Sequence, residues 1–576
     1  MLTDHGNHVK KAADIAAGTF ELACDTIAVA SENRESSGLV RKRPVLGPAV
    51  ERDRVLGSLP VIAGFCERLD IRWIVDRACP VRDIAIVTHG QVIEALIANR
   101  LTSPQPLLHV EDWARQWAVA EVFGIEPGVL NDDRIGRALD AIAPMLDGIV
   151  GSIGLTAIER FGIDVSRIHW DMTSMSLFGD YDRNDDKFAV PSYGHPKDRR
   201  VDLKQIQTGL GVTGDGGIPI FHRVFDGRAG EVNQVVGAME KLRSICEPRH
   251  FLLVGDSKLI SFANVASMTA AGVTFIAPAS KAYVNADGLR AANTMTLVDV
   301  DYIAGRDHTK PADARGRYRV SEDTWVMRPP KNTKTSPIEL RRVFVWSSAD
   351  ADAAATSRAN KLDRARTDLD SLTRGLGGRH YTTTAKVQAR LTVIANKRRV
   401  GDYLQTTVNT DTNKQPTLEW HFDQTALDHE AATDGWYCLL TNLDPTAADA
   451  SEVLTRYKGQ EVVERRYANF KGPLAVAPIF LKNNRRIEAL LTVICLALLI
   501  FCLIERDVRR ALEPNHKMTG FPGRPTARPT GRLILDALAD LRLTPATANA
   551  PPIIPKPTGL QARLLELLKI DPTTTR

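Results

Sequence analysis

The sequence predicts a multidomain α/β protein: an all-helical N-terminal domain, then a mixed sheet with helices against it, interrupted by a β-rich insertion domain. Three observations carry this reading. Apolar residues recur at helical spacing from Val50 to about Leu146, and at strand spacing beyond it. Between residues 151 and 281 the elements run strand, strand, strand, helix, strand, helix, strand, an order that gives a mixed sheet covered by helices. From residue 282 to 432 short β-rich pieces break that rhythm, which resumes at 433.

Composition limits the alternatives. At 576 residues the chain is too long for one core. With 44 % hydrophobic and 25 % charged residues it reads as an ordinary globular protein, and a net charge of +5 favours a polyanionic partner only weakly. Cys24, Cys66, Cys79, Cys246, Cys438, Cys495 and Cys502 form no Cys-x2-Cys pair, which argues against a zinc ribbon or a secreted disulfide framework and fits a reducing cytoplasm. The N-terminus lacks the charged-then-apolar pattern of a signal peptide.

In chain order, residues 1–45 are polar and weakly patterned and read as a disordered lead. Residues 46–150 hold helical stretches over Val55 to Leu69, Gly90 to Leu101, Val110 to Phe123 and Asp132 to Met145. Such a domain could read DNA ends or simply pack. Strands follow at Arg167 to Thr173, Gln205 to Thr213 and Ile218 to Phe225, the last two joined by the hairpin signal Gly214-Asp-Gly-Gly217. Glu231 to Cys246 is a helix, Phe251 to Asp256 a buried strand ending in an acid, Phe262 to Ala271 a helix and Val273 to Ala277 a strand. Gly209-Leu-Gly-Val-Thr-Gly214 matches a dinucleotide fingerprint, but it lies within a hairpin and no helix follows, so a nicotinamide site is rejected.

The insertion, 282–432, shows β-rich pieces at Thr324 to Pro329, Leu340 to Trp346, Ala389 to Ala395 and Leu418 to Phe422, around a helical stretch from Ala349 to Leu376. Gly435 to Thr441 returns as a strand and Ala448 to Lys471 as a helix. Arg485 to Leu512 is a helix whose apolar run, Ala489 to Ile504, is short for a bilayer and bounded by charges, hence buried in protein. The tail, 513–576, is Pro-rich and expected to be poorly ordered before a short helix at Leu560 to Ile570.

The chemistry gathers on few residues. On the helix from Ala448 to Lys471, Tyr457, Glu464 and Lys471 recur at steps of seven, close to two turns, and so share a face. That face can hold a metal ion and a phosphate, though a solvated, salt-bridged helix has the same pattern. Asp171 and Asp256 stand beside apolar runs on strands that can be neighbours, and with Glu464 they would give three oxygen ligands. Each aspartate singly is also explained as a cap or turn residue. Lys197, Arg199, Arg200 and Lys204 lie between the first two strands, where a nucleic-acid backbone could approach Asp171, or form a solvated loop. His169 reads as a packed core residue. Trp325, Trp346, Trp420 and Trp436 could stack a flipped base, with core packing the simpler account of each.

At these positions the chain resembles a bacterial insertion-sequence transposase of the Asp-Asp-Glu class, in the group with a Tyr-x2-Arg-x3-Glu-x6-Lys signature. Tyr457, Glu464 and Lys471 stand at those spacings, and Ile168 to Thr173 is similar to the first-aspartate strand. Gly194 to Gln205 is similar to the basic stretch that follows it, and Asp434 to Tyr437 to the strand before the glutamate helix.

The resemblance implies an RNase H-like, retroviral-integrase-like core split into 151–281 and 433–512, with the insertion before the last catalytic helix. It implies catalytic, metal-binding roles for Asp171, Asp256 and Glu464 with two Mg²⁺ ions, or Mn²⁺ in substitution. It also implies DNA contacts by Tyr457, Gln460, Arg465 and Lys471 together with Lys197, Arg199, Arg200 and Lys204. The partners it implies are double-stranded DNA, as terminal inverted repeats and target, and a second copy of the chain, with no membrane. The setting is the bacterial cytoplasm, at the nucleoid, and the activity is cut-and-paste transposition. A metal-dependent nuclease of the same fold and an inactive DNA-binding relic or repressor remain the alternatives. Two departures stand out. Gln460 occupies the signature arginine position, which leaves the hairpin route of strand release open, and Ser257-Lys258 follows Asp256 where the family often has Arg-Gly.

Overall fold

The computed structural model describes residues 53–179, 181, 185–194, 199–246, 250–308, 310–331, 334–472, 474, 481–512, 516–546 and 552–573. The expected disordered lead and Lys197 lie outside the described residues. The chain divides into two compact units, one built from 51–280, 322–343 and 439–576, the other containing 281–321 and 344–438.

The first unit opens with helices Leu59–Arg68 (α1), Ile71–Ala78 (α2), His89–Thr102 (α3), Val110–Gln116 (α4), Val119–Phe123 (α5), Asp132–Ile142 (α6) and Leu146–Phe161 (α7). Sequence reasoning missed α2 and α7. Thr88 starts α3 through a reciprocal capping box with Gln91, and Asn131 caps α6.

The sheet follows: Arg167–Leu177 (β1), Lys204–Thr213 (β2), Pro219–Phe225 (β3), helix Glu231–Cys246 (α8), Leu252–Val254 (β4), helix Phe262–Ala270 (α9) and Thr274–Pro278 (β5). The expected order of strands and helices is present. β3, β2 and β1 form an antiparallel meander, and β4 and β5 continue the sheet parallel to β1, giving the spatial order β3-β2-β1-β4-β5. Gly209 lies within β2, where an added Cβ would come 2.2 Å from the Trp170 ring. Its glycine is required by that packing, so the apparent dinucleotide fingerprint is a strand.

In the second unit Val298–Val300 (β6) pairs antiparallel with residues 318–320 of Tyr318–Met327 (β7). Ile338–Ser347 (β8) leads into Ser348–Arg374 (α10), then Thr384–Arg398 (α11), hairpin Leu404–Thr410 (β9) and Pro416–Phe422 (β10), and Gln424–Ala431 (α12). The strand expected at Ala389 to Ala395 is wrong. These residues belong to α11, capped by Thr383, with Val387, Leu391 and Ile394 buried at helical spacing against Leu369 and Leu372. β-branched residues suggested a strand, and tertiary packing overrode them. The other three expected β-rich pieces are strands, within β7, β8 and β10, so the insertion holds strands β6 to β10 together with the helices α10 and α11.

Trp436–Thr441 (β11) follows, and residues 439–441 pair antiparallel with β5 in the first unit. The expected helix from Ala448 to Lys471 is two helices, Ala450–Lys458 (α13) and Glu461–Lys471 (α14). Asn484–Ala511 (α15) is apolar all round and buried, with 94 % of its most apolar stretch covered by protein. Gly531–Leu538 (α16) and Gly559–Leu568 (α17) complete the chain. The stretch expected to be poorly ordered contains α16, which packs on α15 through Ile534, Leu535 and Leu538.

Candidate active site

β1 and β4 are parallel neighbours with His169 opposite Val254. Asp171 and Asp256 each lie two residues further on, Asp171 within β1 and Asp256 just beyond the end of β4. Asp171 is held in the ladder opposite Leu210. Asp256 leaves the strand in extended conformation, and its Oδ1 accepts the Lys258 backbone N–H at 2.9 Å. Both aspartates are half-buried.

α14 lies along β1, and three contacts fix it there. Gln460, at its start, places Oε1 3.1 Å from His169 Nδ1 and donates through Nε2 to the Trp170 carbonyl at 3.2 Å. The Tyr467 hydroxyl lies 2.7 Å from the Asp171 carbonyl and 3.0 Å from that of Thr208. Lys471 Nζ donates to Thr173 Oγ1 at 2.9 Å and to the Ser174 carbonyl at 2.8 Å. Gln460, Glu464, Tyr467 and Lys471 fall within one narrow stripe of the helix, so Glu464 projects from the stripe that faces β1, between contacts that flank Asp171. Glu464 is exposed. Glu461, its rival in the sequence, stands 3.9 Å from Arg465 in a surface ion pair.

At Gly459, between α13 and α14, an added Cβ would come 2.9 Å from the His169 ring. His169 is fully buried, as expected of a core residue. Burial pushes its pKa down to about 4, the Gln460 contact opposing and Arg167 assisting. Its Nε2 has no protein partner among the described residues.

Two tyrosines line the face. Burial, then the charges of Glu464 and Asp256, pushes the Tyr457 phenol up to about 12. Burial, then Asp171, drives Tyr467 well above its ordinary value. Sequence spacing pointed to Tyr457. The roles of Tyr467, Gln460 and His169 carry no signal in sequence, because each depends on contacts between segments far apart in the chain.

The oxygen donors of Asp171, Asp256 and Glu464 suit Mg²⁺ or Mn²⁺. Among the described residues no group of three or more His, Cys, Asp or Glu side chains is gathered tightly enough to hold a metal ion. The other expected DNA contacts scatter. Gln460 and Lys471 are engaged with β1. Arg465 is exposed beside Glu461. Arg199 is exposed with φ of 63°, and Arg200 chelates Asp202 at 2.8 and 2.9 Å. Lys204 pairs with Leu177, six residues from Asp171 and so roughly 20 Å along the strand rather than at its mouth. It borders a depression of about 350 Å³ with Tyr193, Asp226 and Arg228. Trp420 packs edge-on to Phe422, and Arg319 lies over Trp346.

Residues 52–145 match a family described as Domain of unknown function (DUF4277). No curated protein matches the sequence. A chain from the cryo-EM structure of the piggyBac transposase synaptic complex with hairpin DNA is similar over 83 % of this chain and 79 % of that one, at 8 % identity and a TM-score of 0.34, a likeness too faint to argue from.

Proposed function

We propose that the chain is a DNA transposase of the Asp-Asp-Glu class that binds the terminal inverted repeats of an insertion sequence and cleaves and joins strands at one active site formed by Asp171, Asp256 and Glu464. The observation that supports this most is Asp171 within β1 and Asp256 just past the end of its parallel neighbour β4, with the helix that carries Glu464 fastened to β1 by Gln460, Tyr467 and Lys471. The order β3-β2-β1-β4-β5 supports an RNase H-like core. The match over 52–145 supports a separate domain where the sequence suggested end binding.

Asp171, Asp256 and Glu464 would hold two Mg²⁺ ions, or Mn²⁺ in their place, which would supply Lewis-acid activation and charge stabilisation for phosphoryl transfer. The residues around them do the rest. Asp171 is held within the ladder and Asp256 by the Lys258 N–H, while Glu464, exposed on α14, would be the third ligand. Gln460, Tyr467 and Lys471 fix the distance of that helix from β1. Tyr457 keeps its proton at neutral pH and offers a hydrogen-bond donor. The substrate is duplex DNA held by paired copies of the chain at the nucleoid, in the bacterial cytoplasm.

The test is incubation of the full chain with Mg²⁺ and duplex DNA carrying the sequences that flank its coding region. Nicks at the repeat ends together with joined products support the proposal. Nicks without joining make it a nuclease, and binding without either makes it a DNA-binding relic.

A further inference from the structure

We infer that the outward stripe of α11 in the second unit is a phosphate-backbone surface for duplex DNA. Residues 371–401 contain seven cations, Arg374, Arg379, Lys386, Arg390, Lys397, Arg398 and Arg399, and no acid. The structure sorts them. Arg398 turns inward and pairs with Asp368 at 2.8 Å. Lys386, Arg390 and Lys397 recur at steps of four and seven and so share one stripe, beside the apolar face that Val387, Leu391 and Ile394 bury. Lys386 and Lys397 are exposed and Arg390 half-buried. Lys386 Nζ meets a hydroxyl, Thr382 Oγ1, at 3.2 Å. Among the described residues no carboxylate stands within ion-pair distance of these three side chains.

Asp368, which pairs with Arg398, also feels the charges of Lys397 and Arg390, but one carboxylate does not balance the stripe, and a polyanion would lower the remaining like-charge repulsion. Over 11 residues it spans roughly 16 Å, the rise of about five base pairs. A bilayer fits less well. A membrane-surface helix needs a free apolar face, and that of α11 is packed against Leu369, Leu372 and Leu418. Duplex phosphates ask only for exposed cations at regular spacing, which this helix offers. The surface lies outside the carboxylate site and does not depend on the catalytic reading.

The experiment titrates the full chain with a 30-base-pair duplex of arbitrary sequence at several salt concentrations. A triple variant, Lys386→Gln, Arg390→Gln and Lys397→Gln, keeps helix propensity nearly constant. A control triple, Arg319→Gln, Arg532→Gln and Arg563→Gln, removes the same charge from surface cations already paired with carboxylates. The stripe variant should lose roughly 2.7 from the slope of log affinity against log salt, while the control keeps the wild-type slope and both melt with the wild type. An unchanged slope in the stripe variant overturns the inference, as does equal loss in both triples. Stripe-dependent binding to phosphatidylserine vesicles with no effect on DNA also overturns it. No cleavage is scored, so failure here leaves the carboxylate proposal standing, and failure of cleavage leaves this one standing.

Discussion

At the scale of single residues, the contacts that matter most join side chains nearly 300 positions apart. Gln460 satisfies His169 Nδ1 and the Trp170 carbonyl together, so Gln460→Ala leaves a buried ring nitrogen without its partner. The expected loss is about 1–3 kcal/mol by urea denaturation. Lys471→Met should cost a similar amount, because its ammonium is engaged with Thr173 and Ser174, and the salt slope of DNA binding should not change. A slope lowered by roughly 0.9 would mean that the ammonium meets a phosphate instead. The buried histidines give a pH signature. Burial lowers His169 to about 4 and His222 to about 3, against an ordinary value near 6.5. Both are neutral in the fold, while the unfolded chain takes up protons below pH 6.5, so their stability contribution is intact above that pH. It is lost progressively between 6.5 and 4, at up to roughly 1.4 kcal/mol per pH unit for each histidine. His222→Phe should flatten that decline in chemical denaturation at pH 7 and pH 5.

At the scale of elements, the break between α13 and α14 sets where Glu464 sits. Gly459→Ala presses a Cβ onto the buried His169 ring, so it should slow cleavage more than it lowers DNA affinity. Equal losses in both would make the break a purely structural turn. α15 presents the opposite case, a helix with no polar face. Its Cys495 and Cys502 are buried, with burial pushing Cys502 up to about 12. Both should resist a polar thiol reagent until the protein unfolds, and rapid native labelling would place α15 elsewhere. Much of this architecture is legible in sequence. Alternation along Arg167 to Thr173 and the Gly214-Asp-Gly-Gly217 turn announce the meander, and the apolar run of Ala489 to Ile504 announces the buried helix. α11 was misread because Val393 and Ile394 favour strands when taken locally, whereas Thr383 and the spacing of Val387, Leu391 and Ile394 favour a helix. Glu464 could be separated from Glu461 in sequence only by resemblance. In the structure Arg465 beside Glu461, and the stripe shared with Gln460 and Tyr467, separate them physically.

At the scale of the molecule, the proposal requires three carboxylates from three distant segments to act as one centre. One sits on a strand whose position the sheet fixes, one just beyond the end of the neighbouring strand, and the third on a helix clamped to the first strand. Groups that act as a unit fail together when any one is removed. Asp171→Asn, Asp256→Asn and Glu464→Gln keep size and hydrogen bonding while withdrawing the charge that a divalent ion needs. The decisive measurement is strand cleavage of the flanking-repeat duplex by these three variants beside the wild type in Mg²⁺, with end binding measured on the same samples. The account expects all three to fall by at least roughly a thousandfold in cleavage, about 4 kcal/mol of barrier, while end affinity stays within about threefold of wild type. Near-wild-type cleavage by any one of the three would contradict it.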